Sequence, residues 1–301
     1  MDRFHLMTVF VAVAEEEGFA GAARRLNMSP PAVTRAIAAL EAHLGVKLFK
    51  RSTRIVRLTD AGQGYLDDVK RVIAAADDAD MQAAGGNAEP RGVLTITAPV
   101  MFGRLHVMPG VVAYMQRYPA MQVSALFADR VVNLLEESID VAFRIGDLPD
   151  SSYRAVRVGE VRRVLCASPA YLAQAGLPQT PEDLSAHQII LAKSINQSNE
   201  LKFAKTPLSV RVKPRLLVSD NASAIEAALS GLGIVRLLSY QIAPQLAAGS
   251  LSIILSEYEL PAMPVHIVHS EGRYASAKVR VFIDLMAERL RENLALAKDN
   301  R

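Results

Sequence analysis

The chain has 301 residues, 50% of them hydrophobic and 22% charged, with a formal net charge of +3. That length suits two or three domains with a sizeable core, and the lack of any run of about 18 apolar residues argues against a membrane-spanning helix. Its single cysteine, Cys166, excludes an intramolecular disulfide and agrees with a cytoplasmic chain.

In chain order, MDRFHLMTVFVAVAEEEG reads as an amphipathic helix through Phe4, Met7, Val11 and Ala14. His5 and Thr8 interrupt its apolar stretch, so it does not read as a secretory leader. FAGAARRL spaces Phe19, Ala22, Ala23 and Leu26 for a second helix whose alanines allow close packing. In NMSPPAVTRAIAAL, Asn27 suits a left-handed turn and Ser29 an N-cap. Pro30 and Pro31 cost little in a first turn, where N–H groups have no internal partner. The helix they open sets Val33, Ile37, Leu40 and Leu44 on one stripe, with Pro31, Thr34, Arg35, Ala38 and Ala42 opposite. Small residues around one guanidinium and one hydroxyl suit close approach to a large polyanion. VKLFKRSTRIVRLT then carries Lys47, Lys50, Arg51, Arg54 and Arg57 with no acidic residue, in a β-prone segment of hairpin length. Cap, core stripe, groove face and basic wing in succession read as a winged helix-turn-helix that meets double-stranded DNA. Its expected contacts are Ser29, Pro30, Pro31, Thr34, Arg35 and Ala38 from the helix and Lys50, Arg51, Arg54 and Arg57 from the wing. Charge is distributed accordingly, net +3 over residues 1–60 and −4 over 61–90.

From Thr59 onward, Gly62, Tyr65, Val69, Val72, Ala76, Ala79 and Ala83 alternate spacings of three and four, a short heptad seam with an acid-rich back. No flanking sequence offers this helix a surface on its own domain. It is therefore expected to pair with a second copy through Tyr65, Val69, Val72, Ala76 and Ala79, with GGNAEPRG (85–92) as a hinge. Strands and helices alternate beyond it: GVLTITAP, RLHVMPGVVAYMQRYP, MQVSALF, VVNLLEES and IDVAFRIG, then RRVLCAS, PAYLAQAG, QIILAK, RLLVSD, NASAIEAALSGLG, IVRLL and PVHIVHS, then a final helix from Ser276 to about Leu296. Such alternation predicts a parallel sheet flanked by helices. Enzyme motifs are missing: there is no G-x-S-x-G, H-E-x-x-H or P-loop, and Gly231-Leu232-Gly233 lacks a third glycine. His266 and His269, three apart on a strand, face opposite sides. No catalytic residue, metal or cofactor is expected.

AARRLNMSPPAVTRAIAALEAHLGVKLFKRSTRIVRLTDAG resembles the DNA-binding half of the LysR-type transcriptional regulators. LTITAPVMFGRLHVMPGVVAYMQRYPAMQV, DRVVNLLEESIDVAFRIGDLPDSS and VRRVLCASPAYLAQAGLPQTPEDL are similar to the effector domain of that family's CrgA/DmlR-like branch, in the family's order. The resemblance implies an α/β chain overall: an N-terminal winged helix-turn-helix (1–60), a long linker helix and hinge (61–90), and a two-lobed periplasmic-binding-protein-like α/β effector domain (91–301). Subdomain I takes about 91–162 plus 268–301, and subdomain II about 163–267. It also implies a sequence-specific regulator that binds an interrupted inverted repeat as a homodimer or homotetramer, bends DNA, and contacts RNA polymerase if it is an activator.

A small anionic organic effector is expected in the interlobe cleft, where helix N-termini offer free N–H groups to carboxylates. The expected lining is Pro99, Val100, Met101, Phe102 and Gly103 of APVMFGR, Arg144, Ser194 and Asn196 of SINQSN, and Asn221 of SDNAS, capping the helix that starts near Ala222. Three positions depart from the family pattern. Gly18 stands where a serine commonly caps a helix, Pro30 where a polar residue often reads a base, and Met101 where a hydroxyl residue is common. Redox-sensing members use a cysteine pair, which this chain lacks; Cys166, in VRRVLCASP, reads as a buried strand residue. The alternatives are an effector-independent repressor of the same fold and, for the second half, a solute-binding protein, which would have no use for a winged helix at its front.

Overall fold

The computed structural model describes residues 2–51, 56–83, 89–149, 153–192, 199–205, 209–270, 275–293 and 296. It divides into two compact units, Met1–Glu89 and Pro90–Arg301.

In the first unit, Asp2 caps α1 (Arg3–Glu15) by accepting from the Phe4 amide at 3.2 Å. Leu6, Met7, Val9, Phe10, Ala12 and Val13 of α1 are buried, while Phe4 is 37% exposed. The expected Phe4/Met7/Val11/Ala14 face is therefore rotated. The reason is that α1 is packed on several sides, against α2 (Phe19–Arg25), α3 (Pro30–Leu44) and α4 (Asp60–Ala83), so a single apolar stripe does not mark its buried surface. No side chain caps α2 at Gly18, whereas Ser29 Oγ caps α3 by accepting from the Ala32 amide at 3.3 Å. Asn27 and Gly45 adopt φ of 52° and 70°, left-handed turns that end α2 and α3. Strands β1 (Phe49–Arg51) and β2 (Val56–Leu58) pair antiparallel as the wing.

A buried carboxylate locks this wing to α3. Glu41 Oε1 accepts from the amides of Leu48 and Phe49 at 3.0 and 3.3 Å, and Oε2 from Lys47 Nζ at 2.7 Å. Thr59 opens α4, donating to Lys47 O at 2.7 Å and accepting from the Gly62 amide at 2.9 Å. At Gly62 the chains touch so closely that a Cβ would lie 2.1 Å from Leu48 O. The first half of α4 then packs on α1: Leu66 and Val69 are buried, Tyr65 lies 5.4 Å from Phe10 ring to ring, and Lys70 reaches Glu15 at 2.8 Å. Contrary to the sequence expectation, α1 does offer α4 a surface.

The second unit holds two five-stranded sheets. β3 (Gly92–Ala98) leads into α5 (Val100–Phe102), which runs through a π-helical turn (Gly103–Val107) into α6 (Met108–Arg117), followed by β4 (Met121–Phe127), β5 (Val141–Ile145) and β6 (Arg154–Val161). The chain crosses at Arg162 into β7 (Arg163–Ala167), α7 (Pro169–Ala175), β8 (Ile189–Ala192), β9 (Glu200–Leu201), β10 (Val210–Arg211), β11 (Pro214–Val218), α8 (Asn221–Leu229), β12 (Ile234–Leu238), α9 (Ala243–Ala247) and β13 (Ser252–Ile254). It returns through β14 (Met263–His269) and ends in α10 (Ala277–Arg291), which stops five residues short of Leu296.

The sheet orders are β4-β3-β5-β14-β6 and β11-β8-β12-β7-β13. Both are mixed rather than parallel: β3, β4 and β5 pair parallel, as do β8, β11 and β12, but β14 and β7 run against their neighbours because each follows a crossing. Since β14 begins at Met263 within the first sheet, the second lobe ends near 262, not 267. VVNLLEES forms turns, not a helix. The Asn133 side chain takes the Leu135 amide at 3.2 Å, and Ser138 turns left-handed at φ 52°, closing the segment after one turn. One hydrophobic core runs across the crossing, from Leu94, Ile96 and Phe143 of the first sheet to Val164, Cys166 and Val235 of the second.

Two outcomes follow. Burial raises the Glu41 carboxyl, but Lys47 and two amides outweigh it and hold the group below its ordinary 4.5. Glu41 therefore stabilises the fold above that pH, and the stability is lost as pH falls through the lower folded value. Glu41→Gln should cost about 1–3 kcal/mol at pH 7, with the gap to wild type narrowing below pH 4.5 in denaturant titrations. Burial also pushes the Cys166 thiol up to about 12. Iodoacetamide at pH 8 should label the folded chain at least about tenfold more slowly than the chain in urea.

Candidate nucleic-acid interface and ligand cleft

The first surface is built by α3 and the wing. Val33, Ile37 and Leu40 are fully buried, which turns Pro31, Thr34, Arg35, Ala38 and Ala42 outward with Ser29 and Pro30 at the exposed N-terminus. Thr34 Oγ1 donates to Pro30 O at 3.0 Å, leaving its oxygen free to accept. Among the described residues Arg35 has no ion pair.

Wing register adds a detail that sequence order does not show. Lys50 and Arg57 are direct cross-strand partners, both exposed. Like charges directly opposite are destabilising unless an anion lies over them. Lys47, by contrast, is drawn back to Glu41, so the basic run without an acid in its own segment finds one on α3. Arg54 and the Arg51 side chain lie outside the described residues.

Of the expected pairing seam on α4, Tyr65 and Val69 pack within their own unit, the Tyr65 hydroxyl buried without a partner among the described residues. Val72 is 47% exposed and Ala76 partly so; the Ala79 side chain lies outside the described residues.

In the second unit a cleft of about 650 Å³ opens between the two sheets, ordinary for a small-molecule site. Of the expected residues, Pro99, Arg144 and Asn221 line it. Met101 and Phe102 instead point into the core, where Phe102 meets the Tyr240 ring edge-on at 5.4 Å. Val100 is exposed outside the lining. Gly103 makes room for a side chain rather than a ligand: a Cβ there would lie 2.5 Å from the Phe127 ring. The amide of Val100 is already held by Asp129 Oδ1 at 3.0 Å, so the α5 N-terminus carries its own carboxylate. Asp220, not Asn221, caps α8, accepting from the Ser223 amide at 2.8 Å; Asn221 is the first helical residue. Arg144 is tethered to the Val132 carbonyl. Ser194 and Asn196 lie outside the described residues.

Two cleft residues escaped the sequence reading. Arg163 on β7 and Arg236 on β12 both line the cleft, each half-buried. Burial, then the neighbouring Arg163, pushes the Arg236 guanidinium down to about 10. Nothing in the sequence links Arg163, beside Arg162, with Arg236, 73 residues on; only strand register brings them together.

Known proteins share this architecture. The family model for the bacterial regulatory helix-turn-helix protein, lysR family, matches residues 4–63, and that for the LysR substrate binding domain matches 87–291. An HTH-type transcriptional repressor of Pseudomonas aeruginosa is 32% identical over 297 residues, covering 97% of this chain and 94% of its own length. The HTH-type transcriptional activator AaeR of Escherichia coli is 32% identical over 292 residues, covering 96% and 94%. The structure of CrgA, a LysR-type regulator from Neisseria meningitidis, superimposes with a TM-score of 0.62 at 30% identity, covering 95% of this chain and 98% of that one. With a helix-turn-helix in front and a substrate-binding-type domain behind, both matched along the chain, this protein belongs to the LysR family of transcriptional regulators, which are not enzymes.

Proposed function

We propose that the chain is a cytoplasmic regulator that reads an interrupted inverted repeat as a dimer or a pair of dimers, its DNA affinity set by a small organic anion in the interlobe cleft. The observation that carries the DNA half is the exposed face of α3, with Thr34 and Arg35 set among Pro31 and Ala38 opposite a fully buried stripe. In this reading Thr34 and Arg35 meet base edges in the major groove, while Ser29 and Pro30 sit at the entry of the helix. Lys50, Arg51, Arg54 and Arg57 of the wing meet phosphates. Subunits pair through the outer part of α4, from Val72 through Ala76 and Ala79, because its inner part is occupied by α1.

Relatives include both a repressor and an activator. Operator position relative to the promoter then decides the direction, and contact with RNA polymerase belongs to the activating case.

Fluorescence anisotropy with the DNA upstream of the chain's own gene, against a random duplex at two salt concentrations, tests this. Salt-sensitive binding that prefers the upstream duplex is expected, and equal weak binding to both would count against sequence-specific reading. Arg35→Ala should weaken specific binding by about 1–3 kcal/mol and relax the preference; an equal loss on both duplexes would make Arg35 a phosphate contact. Arg57→Ala should weaken both duplexes alike and lower the salt slope by about one.

A further inference from the structure

We infer that Arg163 and Arg236 form the anchor of the cleft, receiving the oxyanion head of a small organic acid whose apolar body lies against Leu238 and Tyr240. The inference rests on the cleft being the regulatory site proposed above.

β7 and β12 pair antiparallel with Arg163 opposite Leu238 and Leu165 opposite Arg236. Arg163 and Arg236 are thus diagonal neighbours on one face, about 7–8 Å apart at the backbone and within reach of long side chains. Their own partners are weak. Arg163 donates to the Met263 thioether at 3.2 Å, and Arg236 to the Lys202 carbonyl at 3.5 Å. The carboxylates placed near them are engaged elsewhere: Asp129, which lines the cleft, on the Val100 amide, and Glu259 on Arg162 with both oxygens, at 3.1 and 3.0 Å. Among the described residues neither arginine forms an ion pair.

Two half-buried guanidiniums side by side repel, and folding tolerates that where an anion is to be bound. Guanidinium forks match the planar oxygens of carboxylate and the oxygens of phosphate. Arg144 lies on the facing sheet, tethered to its carbonyl. Leu238, on the same face of the strand pair as the two arginines, and Tyr240 line the cleft on the second lobe and supply an apolar wall for the remainder of the molecule.

Thermal unfolding of the full chain tests this, in potassium phosphate against potassium chloride at matched ionic strength and in benzoate against benzamide. Wild type should gain roughly 2–4 °C in either oxyanion over its control. Arg163→Gln and Arg236→Gln should lose most of that gain, and Arg117→Gln, at an exposed arginine outside the cleft lining, should keep it. Because the wing also attracts phosphate, the difference between wild type and the cleft variants is the readout. Arg236→Met should melt higher than wild type without ligand, since it removes a repelled charge, and should not respond to oxyanions. The anchor is overturned if both Gln variants respond like wild type, if benzamide serves as well as benzoate, if wild type is indifferent to both oxyanions, or if Arg236→Met melts lower. Anisotropy on the same proteins separates the two readings. A wild type that does not discriminate DNA sinks the regulator reading whatever the oxyanion response, while intact DNA discrimination with an unchanged oxyanion gain in both Gln variants sinks the anchor alone.

Discussion

The cleft depends on how the two crossings that join the sheets are tied to each other. Arg162, the residue between β6 and β7, holds Glu259, in the return segment before β14, with both carboxylate oxygens. Side-chain exposures of 28% and 12% take the pair partly out of water, so the loss of one partner would leave the other charge poorly solvated. Burial already raises the Glu259 carboxyl, against the pull of Arg162. The backbone at the crossing is pinned as well: Ser239 N donates to Arg162 O at 2.8 Å, and Arg162 N to Ser239 Oγ at 3.1 Å. One residue on, Tyr240 is buried between Phe102 and His106 of the first lobe, its ring 5.4 and 5.3 Å from theirs. The two sheets are therefore joined by charge, backbone and aromatic packing at one edge, and the cleft lies beside that edge.

The first unit solves a similar problem with one carboxylate. Glu41 fixes where the wing leaves α3, and Thr59 and Gly62 fix where α4 leaves the wing. Close approach at Gly62 is why a glycine must stand there: any larger residue would push the Leu48 backbone, and with it the strand that carries Lys50. Both units also place cations beside cations where their ligands would lie, Lys50 beside Arg57 on the wing and Arg163 beside Arg236 in the cleft. Such pairs lower the stability of the free protein. On the function proposed above, the ligand of each surface offsets that cost.

Local chemistry was legible in the sequence, and destinations were less so. Ser29, the two prolines and Asn27 report on their own turns, because caps and left-handed residues act within four residues of themselves. The seam on α4 was legible as a seam, but an apolar stripe reads the same whether it meets its own domain or a second copy. Val69 went to the first and Val72 remained exposed. At 98–104 the sequence showed a strand running into a helix but not the helix's rotation, which turns Met101 and Phe102 into the core and leaves Pro99 at the cleft. Asp129 and Arg236 could not be placed without tertiary structure. One reaches its amide across 29 residues, and the other meets its neighbour across a strand pair of long sequence separation.

A ligand can shift a protein between two arrangements only through a difference in its affinity for them. The position of Arg163 supplies a physical route to such a difference, since it follows Arg162 directly and the two side chains have opposite employments. Arg162 closes the crossing with Glu259, while Arg163 faces the cleft with no carboxylate among the described residues. An anion drawn to Arg163 and Arg236 acts on the residue adjoining the tie and on the strand that ends at Ser239 and Tyr240, the groups that pin the lobes together. A neutral molecule filling the same volume would leave the repulsion between the guanidiniums in place. With the anchor proposed above, charge, more than size, is what the cleft distinguishes.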